Sequence, residues 1–260
     1  MRRVMTFACG GETVFATLDE APGTTGLLIV SGGNEIRIGA HRGMAMLAQR
    51  LAQRGIPVFR FDRRGIGDST GENLGFLSSA PDIACAAAVF RAETGIARLV
   101  GFGNCDAATA LALFGTAAGI DRLILANPWL IEETDDLPPA AAIRARYVEK
   151  LRDPREWLRL ARGGVDLRKL ASGLAKLSKS RLTVETSLAV DLLEALAGWK
   201  SRATILLARR DNTALAFAEA ANTIDLEIPL HHCDTASHSF AQAGDAAWLE
   251  EQIVAALRRT

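Results

Sequence analysis

The alternation of apolar runs with amphipathic segments is the feature that most limits how this 260-residue chain can fold. The run Gly26-Leu-Leu-Ile-Val-Ser31 is continuous and apolar, which is typical of a strand buried on both faces. Similar runs follow, separated by helix-like segments, so we predict a parallel sheet covered by helices. Before them, two β-prone segments flank Gly10-Gly11, a pair suited to a tight hairpin.

The predicted strands lie before and after a central segment that contains no predicted strand. The predicted strands are Val4–Cys9, Thr13–Leu18, Gly26–Ser31, Pro57–Phe61, Ala97–Phe102, Arg122–Ala126, Ala203–Ala208 and Ile224–Leu230. The predicted helices are Arg42–Arg54, Pro81–Glu93, Asp106–Ala118, Ala214–Ala221 and Asp245–Arg258. From Asn127 to Lys200 the sequence predicts amphipathic helices only. We therefore predict a core of residues 1–126 and 201–260, with residues 127–200 as a helical lid.

Composition and charge exclude several classes of protein. The 30 Lys and Arg residues balance 30 Asp and Glu residues, so neither nucleic acid nor an anionic membrane is expected as the main partner. The cysteines show neither a CxxC pair nor a Cys/His spacing that suits zinc; they are Cys9, Cys85, Cys105 and Cys233. We expect no metal, no cofactor and no disulfide framework.

The segments that could direct the chain to a membrane are short. Glycines and a glutamate interrupt the N-terminal MRRVMTFACGGE before it reaches the length of a signal peptide. No uncharged run approaches the roughly 18 residues that suggest a membrane span. We therefore expect a cytoplasmic protein with no membrane span, whose oligomeric state the sequence does not indicate.

The segment ARLVGFGNCDAATALALFG predicts a strand, a sharp turn and a helix, with Cys105 at the turn. A nucleophile at such a turn projects from the carboxyl edge of the sheet, and its close neighbours must be small. Gly103 and Ala107 satisfy that requirement in a G-x-C-x-A pattern. Neither Ser31 nor Ser69 has such neighbours. Cys105 is therefore the candidate nucleophile, although a buried cysteine that only packs would fit the same five residues.

A catalytic cysteine needs a base, and the base needs a carboxylate that orients it. Asp211 follows the predicted strand Ala203–Ala208, and His238 follows the last predicted strand. The chain order of nucleophile, acid and base is that of one large class of hydrolases. The sequence also offers other candidates for the base and for the acid. They are His41, His231 and His232 for the base, and Asp234 for the acid.

Acyl chemistry also needs hydrogen-bond donors for a developing oxyanion. We predict the backbone N–H of Asp106 as one donor and the N–H of Gly33 or Asn34, in the turn Ser31-Gly-Gly-Asn34, as the other. The loop DRRGIGDS follows the next predicted strand, and Arg64 within it is a candidate substrate contact. A structural role for that loop is the alternative.

Taken together, the motifs resemble those of the α/β-hydrolase superfamily. SGGNEIRIGAHRG, FDRRGIGDS, GFGNCDAATAL and ASHSF are similar to those of exosortase A system-associated hydrolases of the first type, a bacterial family linked to exopolysaccharide and to PEP-CTERM protein sorting. The resemblance implies an α/β-hydrolase fold with a mostly parallel eight-stranded sheet, helices on both faces and a lid after the sixth strand. It implies a triad of Cys105, Asp211 and His238. Dienelactone hydrolases have a cysteine turn resembling G-x-C-x-G-G, whereas Ala107-Ala108 stand here.

The predicted lid is strongly basic. Between Arg144 and Arg181, twelve Lys and Arg residues face four Asp and Glu residues, a net charge of +8. One interpretation is a positive entrance that attracts an anionic acyl carrier, a thioester or a glycan. The other is a solvated helix face whose arginines pack on Trp157 and Leu158.

Two functions are consistent with these residues. The first is a thiol-dependent hydrolase or acyltransferase acting on a small or carrier-bound acyl ester or thioester. The second is a binding protein of the same bacterial system that retains the fold and has little or no activity. The order and flanking residues of Cys105, Asp211 and His238 favour the first.

Overall fold

The computed structural model describes residues 1–130, 187–223 and 226–259. The strands are β1 (Arg2–Cys9), β2 (Glu12–Asp19), β3 (Thr25–Val30), β4 (Val58–Phe61), β5 (Arg98–Asn104), β6 (Arg122–Ala126), β7 (Ala203–Ala208) and β8 (Leu230–Cys233). The helices are α1 (Gly43–Gln53), α2 (Ala80–Thr94), α3 (Asp106–Phe114), α4 (Ser187–Trp199), α5 (Asn212–Ala221) and α6 (Asp245–Arg258). Short 3-10 turns occur at Ala40–Arg42, Phe76–Ser78 and Lys200–Arg202.

The eight strands form one sheet in the order β1-β2-β4-β3-β5-β6-β7-β8. Strands β1 and β2 form a hairpin around Gly10 and Gly11, both of which have positive φ, and β2 pairs antiparallel with β4. From β4 to β8 every pairing is parallel. The predicted parallel sheet that follows an antiparallel hairpin is therefore confirmed.

Apolar clusters cover both faces of the sheet, as predicted. On one face, buried residues of α2, α3, α4 and α5 pack on the strands; on the other, α1 and α6 do so. Parallel strands buried on both faces need continuous apolar runs, and every residue of β4 and β7 is buried. Strands β3 to β8 all run parallel, so their carboxyl ends lie at one edge of the sheet. The loops at that edge carry the candidate site.

The last strand was predicted in the wrong place. Strand β8 is Leu230–Cys233, and Leu230 pairs with Ile205 of β7. Of the predicted strand Ile224–Leu230, residues 226–229 are not in a strand, and residues 224–225 lie outside the described residues. Strand β8 is the edge of the sheet, so His231 and His232 remain partly open to solvent and lack the apolar pattern of a buried strand. Ile228, in the segment predicted as a strand, is instead buried in the core beneath α5 as part of a loop.

Most of the predicted lid lies outside the described residues, including its whole basic segment, Arg144 to Arg181. Its last part is described and forms α4, which packs against α3. Trp199 at the end of α4 is 2 % exposed, and its indole N–H donates a hydrogen bond to the Ala112 carbonyl at 2.9 Å. The boundaries of the lid stay a prediction, but α4 packs as a helix of the core.

Cys9 at the end of β1 and Cys85 of α2 form a disulfide, with Cα atoms 6.0 Å apart. The expectation that the chain has no disulfide was therefore wrong. The two residues are 76 positions apart, and only the packing of α2 against the hairpin brings them together. Cys105 and Cys233 are free thiols. No helix in the described ranges combines the length and apolar character that a membrane span requires.

Candidate active site

Cys105 occupies a sharp turn between β5 and α3. Its φ of 62° and ψ of −129° lie in a region that non-glycine residues avoid, at a typical cost of about 1–3 kcal/mol. Its backbone N–H donates to the Ala126 carbonyl at the end of β6, 3.0 Å away, which helps to hold the turn. Cys105 is also the N-cap residue of α3, where the helix favours a negative charge on sulfur.

Gly103 shows why the turn needs small neighbours. A Cβ at Gly103 would lie 2.8 Å from the carbonyl carbon and oxygen of Ala107 and 2.9 Å from the nitrogen of Ala108. These are backbone atoms that cannot rotate away, so only glycine fits. The predicted strand–turn–helix with small flanking residues is thus the geometry that the structure has.

His238 and Asp211 lie together beyond the carboxyl ends of β7 and β8. His238 Nδ1 is 3.1 Å from Asp211 Oδ2. Asp211 is the N-cap of α5, and the same oxygen accepts hydrogen bonds from the backbone N–H groups of Thr213 and Ala214, both at 3.1 Å. Because the helix N-terminus holds the carboxylate, Asp211 presents a fixed negative charge to the imidazole.

The protonation of His238 reflects both neighbours. Hydrogen bonds to Asp211 and to Cys105, opposed by partial burial, raise the pKa of His238 from 6.5 to about 10. The imidazolium therefore persists at neutral pH beside the sulfur and the carboxylate. An imidazolium in this position can supply an acid for a leaving group.

The predicted oxyanion turn lies beside Cys105, and a side chain already uses one of its donors. The Gly33 N–H donates to Asp106 Oδ1 at 2.7 Å. As the first residue of α3, Asp106 has a backbone N–H that no carbonyl within the helix can accept. Asn34 turns outward, where its Oδ1 accepts a hydrogen bond from Asn73 at 2.9 Å. A carboxylate oxygen thus occupies the place where Gly33 would meet an oxyanion.

Gly32 makes this close approach by Asp106 feasible. A Cβ at Gly32 would lie 2.6 Å from Asp106 Oδ1 and 2.7 Å from the Asn104 carbonyl oxygen. Behind the turn, the buried Arg63 guanidinium donates to the Gly33 carbonyl. Burial lowers the pKa of Arg63, and Asp106 and Asp82 oppose that shift. Arg63 is therefore the loop arginine that supports the oxyanion turn.

The predicted substrate contact, Arg64, points elsewhere. Its Nε is 2.6 Å from Asp82 Oδ1 on α2, and its guanidinium lies over the Gly10 turn of the hairpin. The structure does not bring Arg64 together with Cys105, and a role in substrate binding stays a prediction for this residue. The two adjacent arginines of this loop therefore have different hydrogen-bond partners, Gly33 for Arg63 and Asp82 for Arg64, which sequence reasoning could not resolve.

The remaining candidates for the acid, base and nucleophile have other surroundings. His231 and His232 lie on β8, where burial lowers the pKa of each. Asp234 is exposed beside Arg210. The Ser69 hydroxyl donates to the Asp62 carbonyl and accepts from the Phe15 N–H, so its bonds hold a loop.

Three further residues near the site were missed by sequence reasoning. Partial burial raises the pKa of Glu35, while His238 opposes the shift, so an extra carboxyl lies within electrostatic range of the base. The carbonyl of His238 accepts hydrogen bonds from the side-chain amides of Asn104 and Asn127, each at 3.1 Å. Glu35 and Asn104 lie inside the motifs SGGNEIRIGAHRG and GFGNCDAATAL, but nothing in those patterns marked either side chain as functional, and Asn127 lies in none of the motifs. Among the described residues, no group of three or more His, Cys, Asp or Glu side chains is arranged to hold a metal ion.

The sheet order and the strand–turn–helix around Cys105 define an α/β-hydrolase fold, and solved structures agree. The chain superposes on an α/β serine hydrolase without lid from Xanthomonas campestris, XC6422 (TM-score 0.61, 15% identity, 99% of this chain and 94% of the other). It superposes on the esterase Pf2001 of Pyrococcus furiosus (0.66, 14%, 100% and 92%) and on the α/β hydrolase GrgF of Penicillium (0.64, 17%, 100% and 98%).

No family model and no curated protein matches the sequence. At these identities the structural likeness shows the fold: the chain is an α/β-hydrolase-fold protein with a cysteine at the position where the strand–turn–helix presents its side chain.

Proposed function

We propose that this protein is a cysteine-dependent hydrolase or acyltransferase that acts on an acyl ester or thioester. The observation that carries the proposal is the position of Cys105 on a strained turn, close enough to His238 to contribute to its raised pKa, with His238 Nδ1 in turn 3.1 Å from Asp211 Oδ2. Structures named as esterases and serine hydrolases share its fold and support the reaction class.

In this mechanism the Cys105 thiolate attacks the carbonyl carbon, a C–S bond forms, and the carbonyl electron pair moves onto oxygen. Backbone N–H groups of Asp106 and Gly33 stabilise that oxyanion. As the tetrahedral intermediate collapses, the bond to the leaving alkoxide or thiolate breaks, and His238 gives it a proton. Water deprotonated by His238, or another acceptor, then attacks the acyl-cysteine, and Cys105 leaves as thiolate.

Asp106 must move for this reaction to proceed. Its Oδ1 occupies the Gly33 N–H, so the substrate oxyanion has to replace the carboxylate there. A rotation of the side chain about Cα–Cβ would free the Gly33 N–H without moving the helix, because the backbone of Asp106 is the start of α3. The substrate thus exchanges one anionic oxygen for another at the same donor.

The finer identity that we propose follows from the motif resemblance: a role in a bacterial exopolysaccharide or exosortase system, with a small or carrier-bound acyl substrate, in the cytoplasm. The basic segment of the lid favours an anionic carrier. We do not assign a particular acyl group.

The experiment is covalent trapping of the acyl-enzyme. The protein is incubated with an activated aryl ester and with a short-chain acyl thioester, and intact mass and peptide mapping locate the adduct. We expect one acyl group on Cys105 in the native protein and none in the Cys105→Ala protein. A folded native protein that gives no adduct at Cys105 with either reagent would refute the proposal.

The second candidate function, a binding protein with little activity, is favoured by one observation. The Asp106 carboxylate fills the oxyanion position, as expected of a site that no longer turns over. In cells that depend on the gene, full complementation by Cys105→Ala would support binding; loss of function with a normal protein level would support catalysis.

A further inference from the structure

Asn127 lies where four segments of the site meet. It follows β6, is fully buried, and has a positive φ of 42°. Its backbone N–H donates to the Leu206 carbonyl at 2.9 Å, and its side-chain oxygen accepts from the Ala208 N–H at 2.8 Å. Both bonds go to β7, the strand that precedes the Asp211 loop.

The other half of the Asn127 amide reaches the nucleophile strand and the base. Its Nδ2 donates to Asn104 Oδ1 and to the carbonyl oxygen of His238, both at 3.1 Å. Asn104, which directly precedes Cys105, donates its own Nδ2 to the same carbonyl at 3.1 Å. One backbone oxygen of His238 therefore accepts two side-chain amides that also bond to each other.

We propose that Asn127 and Asn104 form an amide clamp that positions the His238 imidazole relative to Cys105; this inference rests on the proposed function. Both asparagine amides donate hydrogen bonds to the backbone carbonyl of His238. The imidazole is attached to the same backbone through Cβ, so a shift of the carbonyl displaces the ring. Neither asparagine contacts the reacting atoms. They are positioning residues for the base.

The clamp differs from ordinary satisfaction of buried polar groups in what it connects. An asparagine that served only the fold could satisfy its two N–H donors and its oxygen with partners from any neighbouring segment. Here the bonds link the segments before the nucleophile, before the acid and at the base, which are separated by 23 to 134 residues along the chain. The positive φ of a buried non-glycine residue is a further cost that its surroundings must offset.

The test is the pH profile of Cys105 alkylation by iodoacetamide, followed by peptide mass. The proposed mechanism pairs a Cys105 thiolate with the His238 imidazolium, and on that basis we expect the rate at pH 6 to be close to the rate at pH 8.5. Asn104→Leu removes both amide bonds without adding charge, and Asn104 is only half-buried. We expect its rate at pH 6 to fall by about a hundredfold relative to pH 8.5, as for an unpaired thiol.

Asn127→Asp is the second variant, since it keeps the oxygen that accepts from Ala208 while it replaces the donor. The matched control is Asn222→Leu, at an exposed asparagine that ends α5. Its profile should equal that of the native protein. Thermal unfolding establishes that each variant is folded, and if Asn127→Asp does not fold, Asn104→Leu decides.

Two results would overturn the clamp, and they differ. If folded Asn104→Leu keeps the native profile, the positioning role is wrong while the proposed triad stands. If the native protein itself reacts like an unpaired thiol, with almost no alkylation at pH 6, the thiolate–imidazolium pair is absent, and the clamp falls together with the proposed mechanism.

Discussion

On one side of the candidate site the proposed catalytic groups are in place, whereas on the other side a side chain occupies an oxyanion donor. On one side, His238 lies 3.1 Å from Asp211 and within interaction range of Cys105, and the turn that carries the cysteine is held by a backbone hydrogen bond to Ala126. On the other side, the oxyanion turn is shaped for catalysis, but Asp106 uses the Gly33 N–H. The difference indicates that the nucleophile is assembled before substrate binds, whereas the oxyanion donors are released only when substrate displaces a side chain.

The largest loss of activity should follow from replacing Asp211, the carboxylate that orients His238. Asp211→Asn removes the carboxylate whose hydrogen bond contributes most to the raised pKa of His238, so that pKa falls below about 10 and the imidazolium is lost at lower pH. We expect acyl-enzyme formation at pH 7 to slow by about a hundredfold or more. Stopped-flow measurement with an activated ester gives the rate, and the pH profile gives the direction of the shift.

Asp234→Asn is the matched control for that experiment. Asp234 is a nearby carboxylate that is exposed and paired with Arg210, and its replacement should leave the rate unchanged. A large loss in Asp234→Asn with none in Asp211→Asn would mean that the wrong carboxylate has been assigned.

The next largest effect should come from crowding the turn that carries Cys105, at Gly103. Gly103→Ala places a Cβ 2.8 Å from the Ala107 backbone, and a contact that close forces the strand and helix apart. We expect the free energy of unfolding to fall by about 1–3 kcal/mol, the range for overpacking, together with loss of Cys105 reactivity. Urea unfolding measures the change.

Gly198→Ala provides the comparison for Gly103→Ala. Gly198 lies in α4 with nothing within 4 Å of a Cβ built on it. Alanine there should stabilise the protein by about 0.5–1 kcal/mol through helix propensity. Equal effects at the two glycines would contradict the steric account of the turn.

The smallest change in activity should come from replacing Asp106, whose carboxylate occupies the Gly33 N–H of the oxyanion turn. Asp106→Ala frees the Gly33 N–H, so we expect kcat/KM for an activated ester to rise by about two- to tenfold, the equivalent of one net hydrogen bond of about 0.5–1.5 kcal/mol. Glu251→Ala removes an exposed carboxylate on α6 and serves as the control. A fall in kcat/KM for Asp106→Ala would show that the carboxylate assists the reaction and does not obstruct it.

Sequence reasoning was strongest where a local pattern has a steric or periodic cause. The bounds of β6 and α6 were predicted to the residue, because β6 is a continuous buried run and α6 is a long amphipathic segment. Gly103 was identified from the need for a small residue beside the turn. Cys105, Asp211 and His238 are far apart in the chain, and their order as nucleophile, acid and base, each after a predicted strand, is what grouped them as one site.

Sequence reasoning failed where a contact joins distant segments or depends on which way a side chain turns. Three results are of this kind: the shift of β8, the different hydrogen-bond partners of Arg63 and Arg64, and the disulfide between Cys9 and Cys85.

The sequence by itself determined the strand and helix order and the sharp turn at Cys105, since these depend on burial periodicity or on the size of residues a few positions apart. The candidate triad was predicted from the chain order of Cys105, Asp211 and His238 and from the motif resemblance. Only the tertiary structure decided that the Asp106 carboxylate lies on Gly33 and that Asn127 joins three strands to the His238 carbonyl. Those contacts depend on loop paths and rotamers, which are settled when the whole core packs and which no local pattern records.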